Sequence, residues 1–114
     1  MFRTIIALFT IIALAFGAAA PMNQQSCKAT DHGLVINYDI SIGRYYMKSK
    51  CDAAIKGLKK SGALPSMVRC NADSRGMTKM TFNAMRNKQG KINRTLNGVW
   101  TAMRENGGFN CPGH

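Results

Sequence analysis

The residues of this 114-residue chain best placed to do chemistry are four cysteines, and that chemistry is oxidation. Cys27, Cys51, Cys70 and Cys111 are widely spaced, and all lie beyond the first twenty residues. An even number of cysteines in an oxidising compartment reads as two disulfides. A metal site is the rival reading, but there is no C-x-x-C pair, and His32 and His114 lie towards the two ends. Neither a metal nor a cofactor is expected. Acid–base chemistry has few candidates beyond the Asp31-His32 pair and Glu105. A small secreted ribonuclease would need such a base beside a second acid and a cation, so these residues serve only if the fold joins them. No nucleophile elbow, phosphate loop or calcium loop occurs. The inventory points to binding rather than catalysis.

The compartment follows from the first residues. Arg3 precedes an apolar run from Ile5 to Phe16, broken only by Thr10, and Gly17-Ala18-Ala19-Ala20 supplies small residues. That order is the pattern of a secretory signal peptide. The run is shorter than the roughly 17–25 apolar residues of a membrane-spanning helix. Residues 1–19 are therefore expected to be a signal peptide, and residues 20–114 a single small domain. Residues 20–114 hold fifteen Lys and Arg against five Asp and Glu, a formal charge of +10. Such a balance favours an acidic partner: a protein, an acidic polysaccharide or an anionic lipid surface. The cations run from Lys28 to Arg104 without a block of like charge, which argues against a nucleic-acid arm.

The elements that must position these groups are legible as periodicities. Residues 34–40 alternate, with Leu34, Ile36, Tyr38 and Ile40 on one face, and read as a strand bounded by Gly33 and Gly43. Residues 21–26 read as frayed until Cys27. Cys51, Ala54, Ile55 and Leu58 make the stripe of a first helix, with Ser49 as its cap, Asp52 close to a capping-box position and Gly62 as its stop. Residues 66–71 and 77–85 read as strands joined by a turn. Ile92, Leu96, Val99 and Met103 make the stripe of a second helix that runs to Asn106, with Trp100 on its flank and Gly107-Gly108 after it. Residues 108–111 read as a last extended segment. Met67, Met80 and Met103 are expected to fill the core.

The order strand, helix, strand, strand, helix, strand is the split βαβ arrangement, an α+β sandwich with two helices on one face of a four-stranded sheet. Four cysteines allow three pairings. A strand order of 4-1-3-2 favours Cys27–Cys111 at one edge and Cys51–Cys70 at the other. The expected binding surface is the basic helix faces, Lys56, Lys59, Lys60, Arg94 and Arg104, with the basic–aromatic cluster Tyr45 and Tyr46 beside Arg44 and Lys48. One of these tyrosines is expected on the core and the other in solvent. Asn93-Arg94-Thr95 is a glycosylation sequon off the apolar stripe, so Asn93 is a candidate glycan site.

A leader ending in Ala-Ala-Ala-Pro, a basic domain under 100 residues, and Cys27, Cys51 in helix one, Cys70 at a strand end and Cys111 after helix two resemble small secreted fungal effectors. The pattern is similar to the killer toxins of smut fungi, with their α/β-sandwich fold, and to the necrosis-inducing effector family of plant-pathogenic fungi. The resemblance implies a non-enzymatic secreted protein acting on a host or competing cell.

Overall fold

The computed structural model describes residues 20–114. The expected signal peptide, residues 1–19, lies outside the described residues. The elements are β1 (Gln25–Asp31), β2 (Val35–Tyr45), α1 (Lys48–Lys60), β3 (Ser66–Ala72), β4 (Met77–Met85) and α2 (Gln89–Val99), followed by a 3-10 helix, Thr101–Asn106. The four strands form one antiparallel sheet in the order β1-β2-β4-β3. The fold is thus a small α+β domain with a four-stranded sheet, two helices and two disulfides.

The two central strands supply the core by alternation. Ile36, Tyr38, Ile40 and Ile42 of β2 and Met80, Phe82 and Ala84 of β4 are buried in one cluster with Ala54 and Leu58 of α1 and Ile92 and Leu96 of α2. Tyr38 and Phe82 stack at 5.3 Å across the β2–β4 pair. The other face is polar: Asn37 Nδ2 donates to Asn83 Oδ1, and Lys79 pairs with Asp39 at 2.8 Å. Alternation of this kind is what a sheet covered on one face requires.

The element order differs from the expected βαββαβ at one edge. The strand beside β2 is the N-terminal β1, and residues 108–111 form no strand. Only Cys27 and Ala29 of β1 pack on the core, so no large apolar side chain marks it in the sequence. The segment before it is not frayed: Ala20 is buried, and Asn23 N donates to the carbonyl of Gly43, whose own N–H bonds the carbonyl of Gln24. A Cβ on Gly43 would collide with the carbonyl oxygens of Pro21 and Gln24, which is why glycine stands inside β2 rather than at its end. The C-terminal segment is held by α2 instead of by the sheet. Asn97 Oδ1 accepts from Phe109 N (2.8 Å), Asn93 Oδ1 accepts from Cys111 N (2.7 Å), and Asn93 Nδ2 donates to the Cys111 carbonyl (3.2 Å). Two asparagines one helical turn apart thus take the backbone groups that a strand would have given to a neighbour.

Smaller expectations also shift. Leu34 is 80% exposed, because β2 starts at Val35 and its inward set runs on to Ile42. Met67 is 77% exposed and has φ 52°, at an irregularity in the β3–β4 pairing, whereas Met80 and Met103 are buried as expected. The N-cap of α1 is Met47 rather than Ser49, without a side-chain cap, and Asp52 pairs with Lys48. Gly62 stops α1 as expected, through a Schellman arrangement in which Ala63 N bonds Leu58 O and Gly62 N bonds Lys59 O. The second helix breaks at Trp100 (φ −107°, ψ 73°), where the buried indole packs on Phe109 at 6.2 Å.

Both expected disulfides are present. Cys27–Cys111 joins Cα atoms 5.0 Å apart, and Cys51–Cys70 joins Cα atoms 5.7 Å apart. The first ties β1 to the segment that α2 holds. The second ties the first turn of α1 to edge strand β3.

Candidate binding surfaces

α1 and α2 pack antiparallel, and three contacts fix the arrangement. Lys50 Nζ at the start of α1 donates to the carbonyl of Val99 at the end of α2 (3.0 Å). At mid-helix, a Cβ on Gly57 would stand 2.8 Å from Thr95 Cγ2, so glycine permits the close crossing. At the far end, a Cβ on Gly62 would stand 3.3 Å from Lys91 Nζ. The pair therefore has two ends, and each carries a cleft.

The first cleft, about 290 Å³, is lined by Ser61, Lys91, Arg94 and Thr95, where the end of α1 meets the start of α2. Lys59 and Lys60 stand in the last turn of α1 beside it, and Lys56 is exposed one turn earlier. Arg94 lines this cleft as part of the expected basic surface. Arg104 sits apart, exposed on the 3-10 helix beyond the other end of α2.

The second cleft, about 340 Å³, is lined by Met22, Arg44, Tyr45, Met47, Lys50 and Trp100. Tyr45 is 65% exposed and Tyr46 37%, so neither tyrosine takes the core position expected for one of them. Both follow the buried residues of β2, where the strand's irregularity turns the chain towards α1. Trp100 is nearly fully buried, and its indole N–H has no acceptor among the described residues. Met22, Met47 and Trp100 come from three separate segments, and of the lining only Arg44 and Tyr45 belong to the basic–aromatic cluster marked in the sequence.

Electrostatics separates structural charge from available charge. Four salt bridges, Lys48–Asp52, Arg75–Asp73, Lys79–Asp39 and Arg86–Asp31, occupy all four aspartates. Arg86 Nη1 donates to both carboxylate oxygens of Asp31 and to the Gly33 carbonyl. The Gly33 N–H and Arg86 together hold the Asp31 carboxyl below its usual range. Burial alone would raise the Asp73 carboxyl, but the N–H groups of Arg75 and Met77 and the Arg75 guanidinium outweigh it and hold the group down. The remaining eleven cations form no salt bridge among the described residues. Eight of those eleven lie on the helical layer: Lys50, Lys56, Lys59, Lys60, Lys88, Lys91, Arg94 and Arg104.

The ribonuclease candidates do not converge. Asp31 and His32 lie where β1 turns into β2, whereas Glu105 stands in the 3-10 helix, whose Asn106 donates to Asn23 O beyond the opposite end of β1. A seven-residue strand separates the two places by about 20 Å. Asn93 is likewise committed: its Nδ2, the atom a glycan would take, donates to Cys111 O, so in the folded domain this sequon is a clamp. Among the described residues, no group of His, Cys, Asp or Glu could hold a metal ion, and no helix is long and apolar enough to cross a membrane. No protein-family model, curated protein or solved structure matches this chain.

Proposed function

We propose that this chain is a secreted effector- or toxin-like protein that acts on a host or competing cell by binding an acidic component of its surface. One observation carries the reading: the cations without a salt bridge are concentrated on the helical layer, while three of the four aspartates are bridged on the sheet and its turns and the fourth, Asp52, is taken by Lys48 within α1. A surface so biased attracts an acidic protein or polysaccharide and raises the rate of encounter. The two disulfides suit an oxidising exterior. The apolar stripes of both described helices are spent on the core, so neither offers an apolar face to a lipid surface.

The test applies purified residues 20–114, with disulfides intact, to candidate target cells and to immobilised polygalacturonate. Saturable binding that falls with salt and is lost in the triple variant Lys59→Glu, Lys60→Glu, Arg94→Glu is expected. Strong leakage of anionic vesicles at physiological salt would replace this reading with membrane disruption. RNA cleavage that disappears on Glu105→Ala or His32→Ala would replace it with catalysis.

A further inference from the structure

The cleft at the start of α1 differs in chemistry from the cationic helix faces. Its walls are apolar and aromatic: Met22, Met47, Tyr45 and Trp100. Among the described residues, its two cations, Arg44 and Lys50, are bonded only by neutral oxygens, Asn23 Oδ1 at 2.8 Å and Val99 O at 3.0 Å, and no acidic residue lines it. α1 begins here without a side-chain cap and without an acid in its first turn, so the positive end of the helix dipole adds to the two cations. Independently of that helix end, Trp100 lines the cleft, and its indole N–H is buried without an acceptor among the described residues. Positive charge without an acidic partner beside an apolar wall is complementary to a small molecule that is anionic at one end and apolar along its length.

We propose that this cleft binds a small amphipathic carboxylate, with its head between Arg44 and Lys50 and its apolar body against Met22, Met47 and Trp100. A volume of about 340 Å³ lies at the small end of ligand pockets and suits a body of about ten carbons rather than a long lipid chain. The proposal does not rest on the effector reading, and it would hold for a carrier as well as for a toxin.

Trp100 is the only tryptophan of the chain, so its emission and its indole proton resonance report on this cleft alone. The experiment titrates the oxidised domain with decanoate, and with decanol and butyrate as probes lacking the head charge or the apolar body. Saturable shifts of both Trp100 signals are expected with decanoate, with affinity at least about tenfold above either control, as loss of a charge-assisted contact implies. Lys50→Gln should weaken decanoate by about three- to tenfold, and Arg44→Gln with Lys50→Gln by more. Lys60→Gln, at the other end of α1, should leave it unchanged. Lys50 also bonds the Val99 carbonyl, so far-UV circular dichroism and a melting curve establish that its variant keeps the fold before its affinity is read. Decanol binding as tightly as decanoate, equal losses in Lys50→Gln and Lys60→Gln, or no saturable change in either Trp100 signal would overturn the proposal.

Discussion

α1 carries lysines at both ends, but the helix favours them at only one. Lys59 and Lys60 sit in its last turn, where the partial negative charge of the carbonyl ends stabilises them. Lys48 and Lys50 sit in its first turn, where the same dipole opposes them. Lys48 is offset by Asp52, and Lys50 by the Val99 carbonyl, and the N-cap position is given to an exposed methionine. Charge at the C-terminal end thus serves the fold as well as any partner. Charge at the N-terminal end is held against the preference of the helix, a cost that the proposed carboxylate site would offset.

The largest way to break this contrast is to release one end. Cys51 anchors the first turn of α1 to β3, and replacing Cys51 and Cys70 together by alanine removes a crosslink across 19 residues. Chain-entropy estimates put the loss at about 3 kcal/mol. The N-terminal cleft should lose its Trp100 response to decanoate before the C-terminal cleft loses its salt-dependent binding. Parallel loss of both, followed by denaturant titration, would show that the two ends act as one unit.

Met47→Asp sharpens it most directly. The backbone of Met47 (φ −137°, ψ 123°) already has N-cap geometry, so an aspartate there should cap α1 and raise stability by about 0.5–2 kcal/mol. The same carboxylate would meet Arg44 and Lys50 in place of a ligand, and decanoate binding should vanish. A melting temperature that rises while binding falls is the expected signature. At the opposite end, Lys59→Gln or Lys60→Gln should each lower stability by about 0.3–1 kcal/mol at low salt, and by less as salt increases.

The smallest effects are those of pH. Asp31 and Asp73 have carboxyls held below the ordinary value of 3.8, so their contribution is complete above that value and is lost as pH falls through the depressed ones. Lys48 is held above its ordinary value of 10.5, chiefly by its hydrogen bond to Asp52. Its contribution is complete below that value and is lost as pH rises through the raised one. Arg86→Gln should therefore flatten the acid limb of a pH–stability curve measured by urea midpoint, and Asp52→Asn the alkaline limb. Neither should change the other.

Local signals carried most of the frame. The inward set of β2 from Ile36 to Ile40, the span of β4, the stripe of α1 and the Gly62 stop were legible because each is a periodicity or a turn residue in one segment. β1 was not, because an edge strand whose inward side chains include Cys27 and Ala29 shows no large apolar period. The disulfide pairing came out right although the edge strand was assigned to the wrong terminus. Cys27 and Cys111 meet at that edge either way, once from a strand and once from a segment clamped by Asn93 and Asn97. Of the sites, the basic faces could be read from the spacing of lysines. The N-terminal cleft could not, since its walls are brought together only by the tertiary fold.

The outer disulfide also sets how the domain answers a pull. Cys27 and Cys111 are 84 positions apart in sequence, yet their Cα atoms are 5.0 Å apart. Tension applied at the two termini passes through one sulfur–sulfur bond and bypasses the sheet and both helices. Without the bond, the stretch from Cys27 to Cys111 could be drawn out to about 300 Å, whereas with it the two ends of that stretch stay together. A protease that cuts any single peptide bond between the two cysteines likewise leaves one covalent body. Under a pull from both sides of the ring, the fold between the two cysteines would remain unloaded until that bond is reduced.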